Sequence, residues 1–136
     1  TFMGDLDGLA IRYASASPDQ EKLQAEVTET LEKECAAAKA ADVQTWNRYS
    51  DEFHLVFYRY CNNSRLAESA ERLRSGISIF SNQYCRETVI QTRIDEEHLA
   101  IFQAYKDGDI EKAVQMMKTH LNDSLNYALR FLPKTF

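Results

Sequence analysis

The chain carries three histidines, His54, His98 and His120, and each falls in a stretch of helical spacing close to an apolar face. Imidazole is largely neutral near pH 7 and is the commonest metal-binding side chain. Three of them converging from separate helices would suit a divalent transition ion, zinc first, with nickel, iron or manganese also compatible. Spacing alone leaves a second and simpler reading, three separate hydrogen-bonded histidines at the edge of a core. No HExxH motif places two ligands on one helix. Of the acids nearby, Asp95-Glu96-Glu97 runs into His98 and reads mostly as a solvated face, with Glu97 placed to orient an imidazole.

The elements that must position these residues are helical. In Asp42 to Cys61 the seam Val43, Trp46, Ser50, Phe53, Phe57 and Tyr60 alternates steps of three and four, and His54 sits one turn beyond a small polar gap at Ser50. Before it, Leu6, Leu9, Ala10 and Tyr13 predict a short helix ending near Ser15 to Ser17. Ser17-Pro18-Asp19-Gln20 then starts a second helix with Ser17 as cap, Leu23, Val27, Leu31 and Cys35 inward, and an end near Ala40. After Asn62-Asn63-Ser64, with Ser64 as cap, a fourth helix has Leu66, Ala70, Leu73, Ile77, Phe80 and Tyr84 as its seam, with Gly76 inside it. Arg65, Arg72 and Arg74, interleaved with Glu68 and Glu71, read as its solvated face. A fifth carries Ile94, His98, Ile101 and Tyr105. The sixth follows Lys106-Asp107-Gly108-Asp109, with Ala113, Val114, Met117, Leu121, Leu125 and Leu129 inward and Pro133 as its stop. Without strand periodicity or repeats, the expectation is all-α: one domain over residues 1–136, an antiparallel bundle of about six helices.

Bulk properties narrow the function. A net charge of −5 and a pI near 5.2, with no basic stripe, argue against a nucleic-acid binder acting alone. Cys35, Cys61 and Cys85 are odd in number and widely spaced, as expected of reduced thiols in the cytoplasm. No run is long enough to span a membrane, and no signal peptide opens the chain. The first residue is Thr1 rather than Met, as in a segment of a longer polypeptide. Phosphate-loop and nucleophile-elbow motifs are missing, Met116 and Met117 read as core filler, and Cys61 reads as packed.

Phe53-His54, Asn62-Asn63, Glu97-His98, Gly108-Asp109 with Ala113, and His120-Leu121 occur in that order. In this register the chain resembles the FCD-type effector-binding domain of GntR-family bacterial transcription regulators, essentially throughout its length. The resemblance implies a helical, commonly dimeric domain whose central pocket holds a divalent metal and a small carboxylate. It carries the metal ligands onto His54, His98 and His120. The family's acidic ligand falls on Ser50, and Asp51 is one residue along, turned by about 100° on a helix. The family's carboxylate-binding arginine near the first helix falls on Met3. The winged helix-turn-helix that precedes such domains has no counterpart in this chain.

The resemblance therefore implies a ligand-sensing regulatory domain rather than an enzyme. Its expected partners are a small organic acid, met by Ser50 and Asp51 beside a three-histidine metal, a second copy in a homodimer, and DNA only through an attached domain. Two alternatives are a three-histidine metal-dependent hydrolase using Asp51 or Glu97 as base, and a plain interaction bundle without a pocket.

Overall fold

The computed structural model describes residues 1–84 and 86–129, the side chains of 76–84 and 128–129 excepted. Its six helices are α1 (Phe2–Ser15), α2 (Gln20–Lys39), α3 (Val43–Arg59), α4 (Ser64–Tyr84), α5 (Thr88–Lys106) and α6 (Ile110–Leu129). Together they form an all-α helical bundle. Gly76, Ile77, Phe80, Tyr84, Cys85, Leu129 and Pro133, all named above, lie outside the described side chains.

Local chemistry sets most of the boundaries. Thr1 caps α1 by accepting from the Gly4 amide at 3.0 Å, and Asp42 caps α3 by accepting from Thr45 at 3.2 Å. α5 ends at a left-handed Gly108, φ 80°, where Asp109 N donates to Ala104 O at 3.0 Å, and Asp109 then accepts from Lys112 N at the start of α6. Two starts differ from the sequence reading. α2 begins at Gln20 because the Ser17 hydroxyl accepts from Asp19 N and closes a tight turn, while the Gln20 side chain reaches back to the Ala14 and Ser17 carbonyls. At α4 the cap is Asn63, whose Oδ1 accepts from Leu66 N at 3.1 Å, rather than Ser64.

The core forms where α1 packs on α6, α3 and α4, where α2 packs on α3 and α5, and where α5 packs on α6. Ile11, Leu23, Val27, Phe53, Val56, Phe57, Ile101 and Met117 are fully buried there, and Cys61 is buried with them. Trp46 anchors a smaller cluster with Ala37 and Ala38. The α1–α6 contact is close because Gly8 presents no side chain: a Cβ there would lie 3.0 Å from Val114 Cγ1.

Several expected inward positions are turned away. On α1, Leu9 and Tyr13 are exposed, and the buried stripe is Met3, Leu6, Asp7, Ala10, Ile11 and Ala14. At about 100° per residue this stripe is a single face, with an acid at its middle that apolar counting passes over. Likewise on α2, Cys35 is half-buried and Glu34 is fully buried. Leu73 on α4 is exposed while Arg74 is 4% exposed, so the expected solvated face holds for Arg65 and Arg72 but not for Arg74. Leu125 also faces outward. In each of the first three cases a charged side chain takes the inward place because it finds a partner inside.

Candidate metal centre

The three imidazoles meet. His54 on α3, His98 on α5 and His120 on α6 are all buried, and one ring nitrogen of each lies within 4.8 Å of one on the others. The His54 and His98 ring centroids are 5.0 Å apart, and His98 and His120 are 4.7 Å apart. Phe53 forms one wall, its ring stacked on His98 at 4.2 Å and 16°. Of the two readings left open by spacing, convergence is the one the fold adopts.

Every imidazole has its Nδ1 on a carboxylate from another helix. His54 Nδ1 lies 2.8 Å from Asp7 Oδ2, His98 Nδ1 lies 3.0 Å from both oxygens of Glu34, and His120 Nδ1 lies 2.8 Å from Glu97 Oε1. An ionised carboxylate only accepts, so each Nδ1 carries the proton and each Nε2 is left with a bare lone pair. Burial pushes all three imidazoles below their ordinary pKa, His98 to about 3, so these are hydrogen bonds of neutral rings and not ion pairs.

The carboxylates differ in support. Burial alone would raise Asp7, but the charge of Arg74 and hydrogen bonds from His54 and Tyr58 outweigh it and hold it at about 2. Arg74 Nη2 donates to Asp7 Oδ2 at 2.7 Å, and the Tyr58 hydroxyl donates to Oδ1. Glu34 receives hydrogen bonds from Ser50 and Asp95, and Trp46 Nε1 donates to Asp95 Oδ1 at 2.9 Å. Burial raises both acids of this pair, Glu34 to about 7 and Asp95 to about 8. They therefore share a proton near neutrality, held mainly by Asp95, whose affinity for it the Glu34 charge increases. Glu97 is the outermost of the three, half-buried, and lines a groove between α5 and α6 together with His120. The hydrogen bond and charge of His120 hold it below its usual range against the upward push of burial.

Three neutral imidazoles offering Nε2, each oriented through Nδ1 by a carboxylate, make a donor set that fits a borderline divalent cation. His98 Nε2 and His120 Nε2 lie 3.0 Å apart. With both protons on Nδ1, two lone pairs face each other, an arrangement a cation between them would relieve.

The positions expected to meet an effector fall to either side. Ser50 is half-buried and bonded to Glu34, and Asp51, also half-buried, has Oδ1 3.5 Å from Arg74 Nη1. Sequence reasoning named Glu97 as an orienting group but missed Asp7, Glu34 and Arg74. The available signal was a charged residue at the centre of a helical apolar stripe, as Asp7 lies between Met3 and Ala10 or Ile11, and Glu34 between Leu31 and Ala37 or Ala38.

The sequence model of the FCD domain matches residues 2–123. The chain belongs to that family, the C-terminal effector-binding domains of GntR-family regulators. No curated protein matches it at a significant level. The family assignment makes this a regulatory, effector-binding domain, which in such regulators works with a separate DNA-binding domain. No helix among the described residues is long and apolar enough to cross a membrane.

Proposed function

We propose that this single domain senses a small organic acid beside a divalent transition metal, zinc first, held by His54, His98 and His120. The observation that carries the reading is the pair of facing Nε2 atoms, 3.0 Å apart, on imidazoles whose other nitrogens are already committed to carboxylates. Burial makes a proton a poor occupant of that gap, whereas a divalent ion suits it. Such an ion supplies a Lewis-acid position for an effector oxygen. The chain's own residues do the rest: Asp7, Glu34 and Glu97 fix the ring orientations, Phe53 excludes water from one side, and Ser50 and Asp51 border the effector.

Effector binding then shifts the balance between two placements of an attached DNA-binding domain in a cytoplasmic homodimer. A regulatory role is favoured over hydrolysis because the two acids a hydrolase would need as base are engaged. Glu97 holds His120, and Asp51 faces Arg74.

The test is the metal content of the purified protein, followed by its thermal midpoint with succinate, malate and citrate, before and after chelation. Bound metal, chelation-sensitive melting that His98→Ala abolishes, and stabilisation by an acid without turnover support the sensor. Absence of metal from every preparation sinks the metal site. Turnover of an added ester or amide that chelation abolishes would replace the sensor with the hydrolase.

A further inference from the structure

Among the described residues, one buried cation stands beside the three histidines with part of its donor capacity unused. Arg74 lies on α4, 4% exposed, and is joined to the site through a single atom: Asp7 Oδ2 accepts from Arg74 Nη2 at 2.7 Å and from His54 Nδ1 at 2.8 Å. Nη1 stands 3.5 Å from Asp51 Oδ1, longer than a good charge-assisted hydrogen bond, and Nε, also buried, has no hydrogen-bond partner among the described residues. A guanidinium offers five donors in a rigid planar fork shaped for a carboxylate. Leaving a buried donor of this kind unsatisfied is costly, and an arriving acceptor would recover that cost.

We propose that Arg74 is the residue that fixes an anionic oxygen of the effector, and with it the class of molecule the domain senses; this rests on the small-acid reading above. Asp7 neutralises part of the arginine's charge and tethers it beside His54, so an acid seated on Nε lies next to the imidazole cluster. A second oxygen of the same molecule can then face the three Nε2 atoms. Small carboxylates with two or more oxygen-bearing groups meet that requirement. Met3, on the first helix, is buried and offers no donor. Asp51, half-buried, faces the other edge of the guanidinium through Nη1, and its charge opposes that of an incoming acid.

The experiment uses the full chain in its metal-bound form and reads the concentration dependence of the thermal midpoint with succinate, malate, citrate and, as an uncharged counterpart, succinamide. The expected result is stabilisation by at least one acid and none by succinamide. Arg74→Lys keeps a charge for Asp7 but removes the fork, and is expected to weaken the acid at least about tenfold with metal content unchanged. Asp51→Asn removes that opposing charge and is expected to tighten the same acid about three- to tenfold. Equal affinity in Arg74→Lys and the parent overturns the assignment while leaving the small-acid reading standing. If Arg74→Lys loses its helical signal or its metal, Asp51→Asn decides: tighter binding supports Arg74 as the anchor, and unchanged or weaker binding overturns it. A parent protein indifferent to all three acids defeats the small-acid reading and this inference together.

Discussion

Asp7 Oδ2 lies 2.8 Å from His54 Nδ1, across the contact between the first and third helices. The same carboxylate accepts from Tyr58 and Arg74, so a single acid on α1 sets the tautomer of one imidazole, satisfies a phenol and holds a guanidinium inside the bundle.

Replacing that acid tests how much the ring orientation matters. Asp7→Asn keeps the shape but removes the charge facing Arg74, and the buried guanidinium loses its close counterion. We expect metal affinity to fall about 10- to 100-fold. The chelated protein should lose about 3 kcal/mol, since breaking one side of a buried charge pair leaves the other uncompensated. Competition against a chromophoric chelator and urea unfolding of the metal-free form measure the two effects separately.

Glu97→Gln should be milder. Its partner His120 keeps an acceptor for Nδ1 in the amide oxygen, and the carboxylate it replaces is half-buried and lines a surface groove. Metal affinity should fall less than about tenfold, with little change in unfolding midpoint. A loss as large as that of Asp7→Asn would show that the charge of Glu97, and not only its hydrogen bond, supports the site.

The Glu34–Asp95 pair gives a pH signature. Both folded pKa values, about 7 and about 8, lie above the ordinary carboxylate values, so between those ordinary values and pH 8 the folded protein holds more protons than the unfolded chain. The contribution is fully present at acid pH and is lost as pH rises through about 7 to 8. The three histidines act oppositely, because their lowered values remove stability only as pH falls below about 6.5. From pH 6.5 to 9 the chelated protein should therefore lose about 2–3 kcal/mol, with between one and two protons released across that range. Asp95→Asn should flatten the slope, read from denaturant midpoints at several pH values. An equally steep slope in the variant would refute the shared proton.

Phe53 is both core and wall. Its ring is fully buried and stacks on His98 at 4.2 Å, so Phe53→Ala removes packing from the bundle and the face that keeps water from the imidazole. A destabilisation of about 3–5 kcal/mol is expected. Metal should also exchange faster with chelator, because the opened cavity admits solvent. Phe53→Leu, which retains much of the volume, should recover most of the stability.

Glycine 8 tests the coupling of fold to site. Its missing side chain lets α1 approach α6, and α1 is the helix that delivers Asp7. Gly8→Val places methyl groups against Val114, and should cost about 1–3 kcal/mol with some loss of metal affinity. Normal metal affinity in a destabilised Gly8→Val protein would show that Asp7 reaches His54 without that close contact.

The sequence alone determined the helices of the described residues, because their periodicity, the caps at Asp42 and Asp109 and the Gly108 stop are local chemistry that each segment carries by itself. It also placed the three histidines beside apolar faces, and their order and spacing carried the family. What it left open was whether those faces meet, and which carboxylate serves which ring. Asp7 and His54 are 47 residues apart, Glu34 and His98 are 64, and Arg74 and Asp7 are 67. Counting apolar residues sends Glu34 and Arg74 to solvent, since an isolated charge inside a bundle costs too much. Only the packed helices supply the partners that remove that cost, so the burial of these charges was decided by tertiary structure.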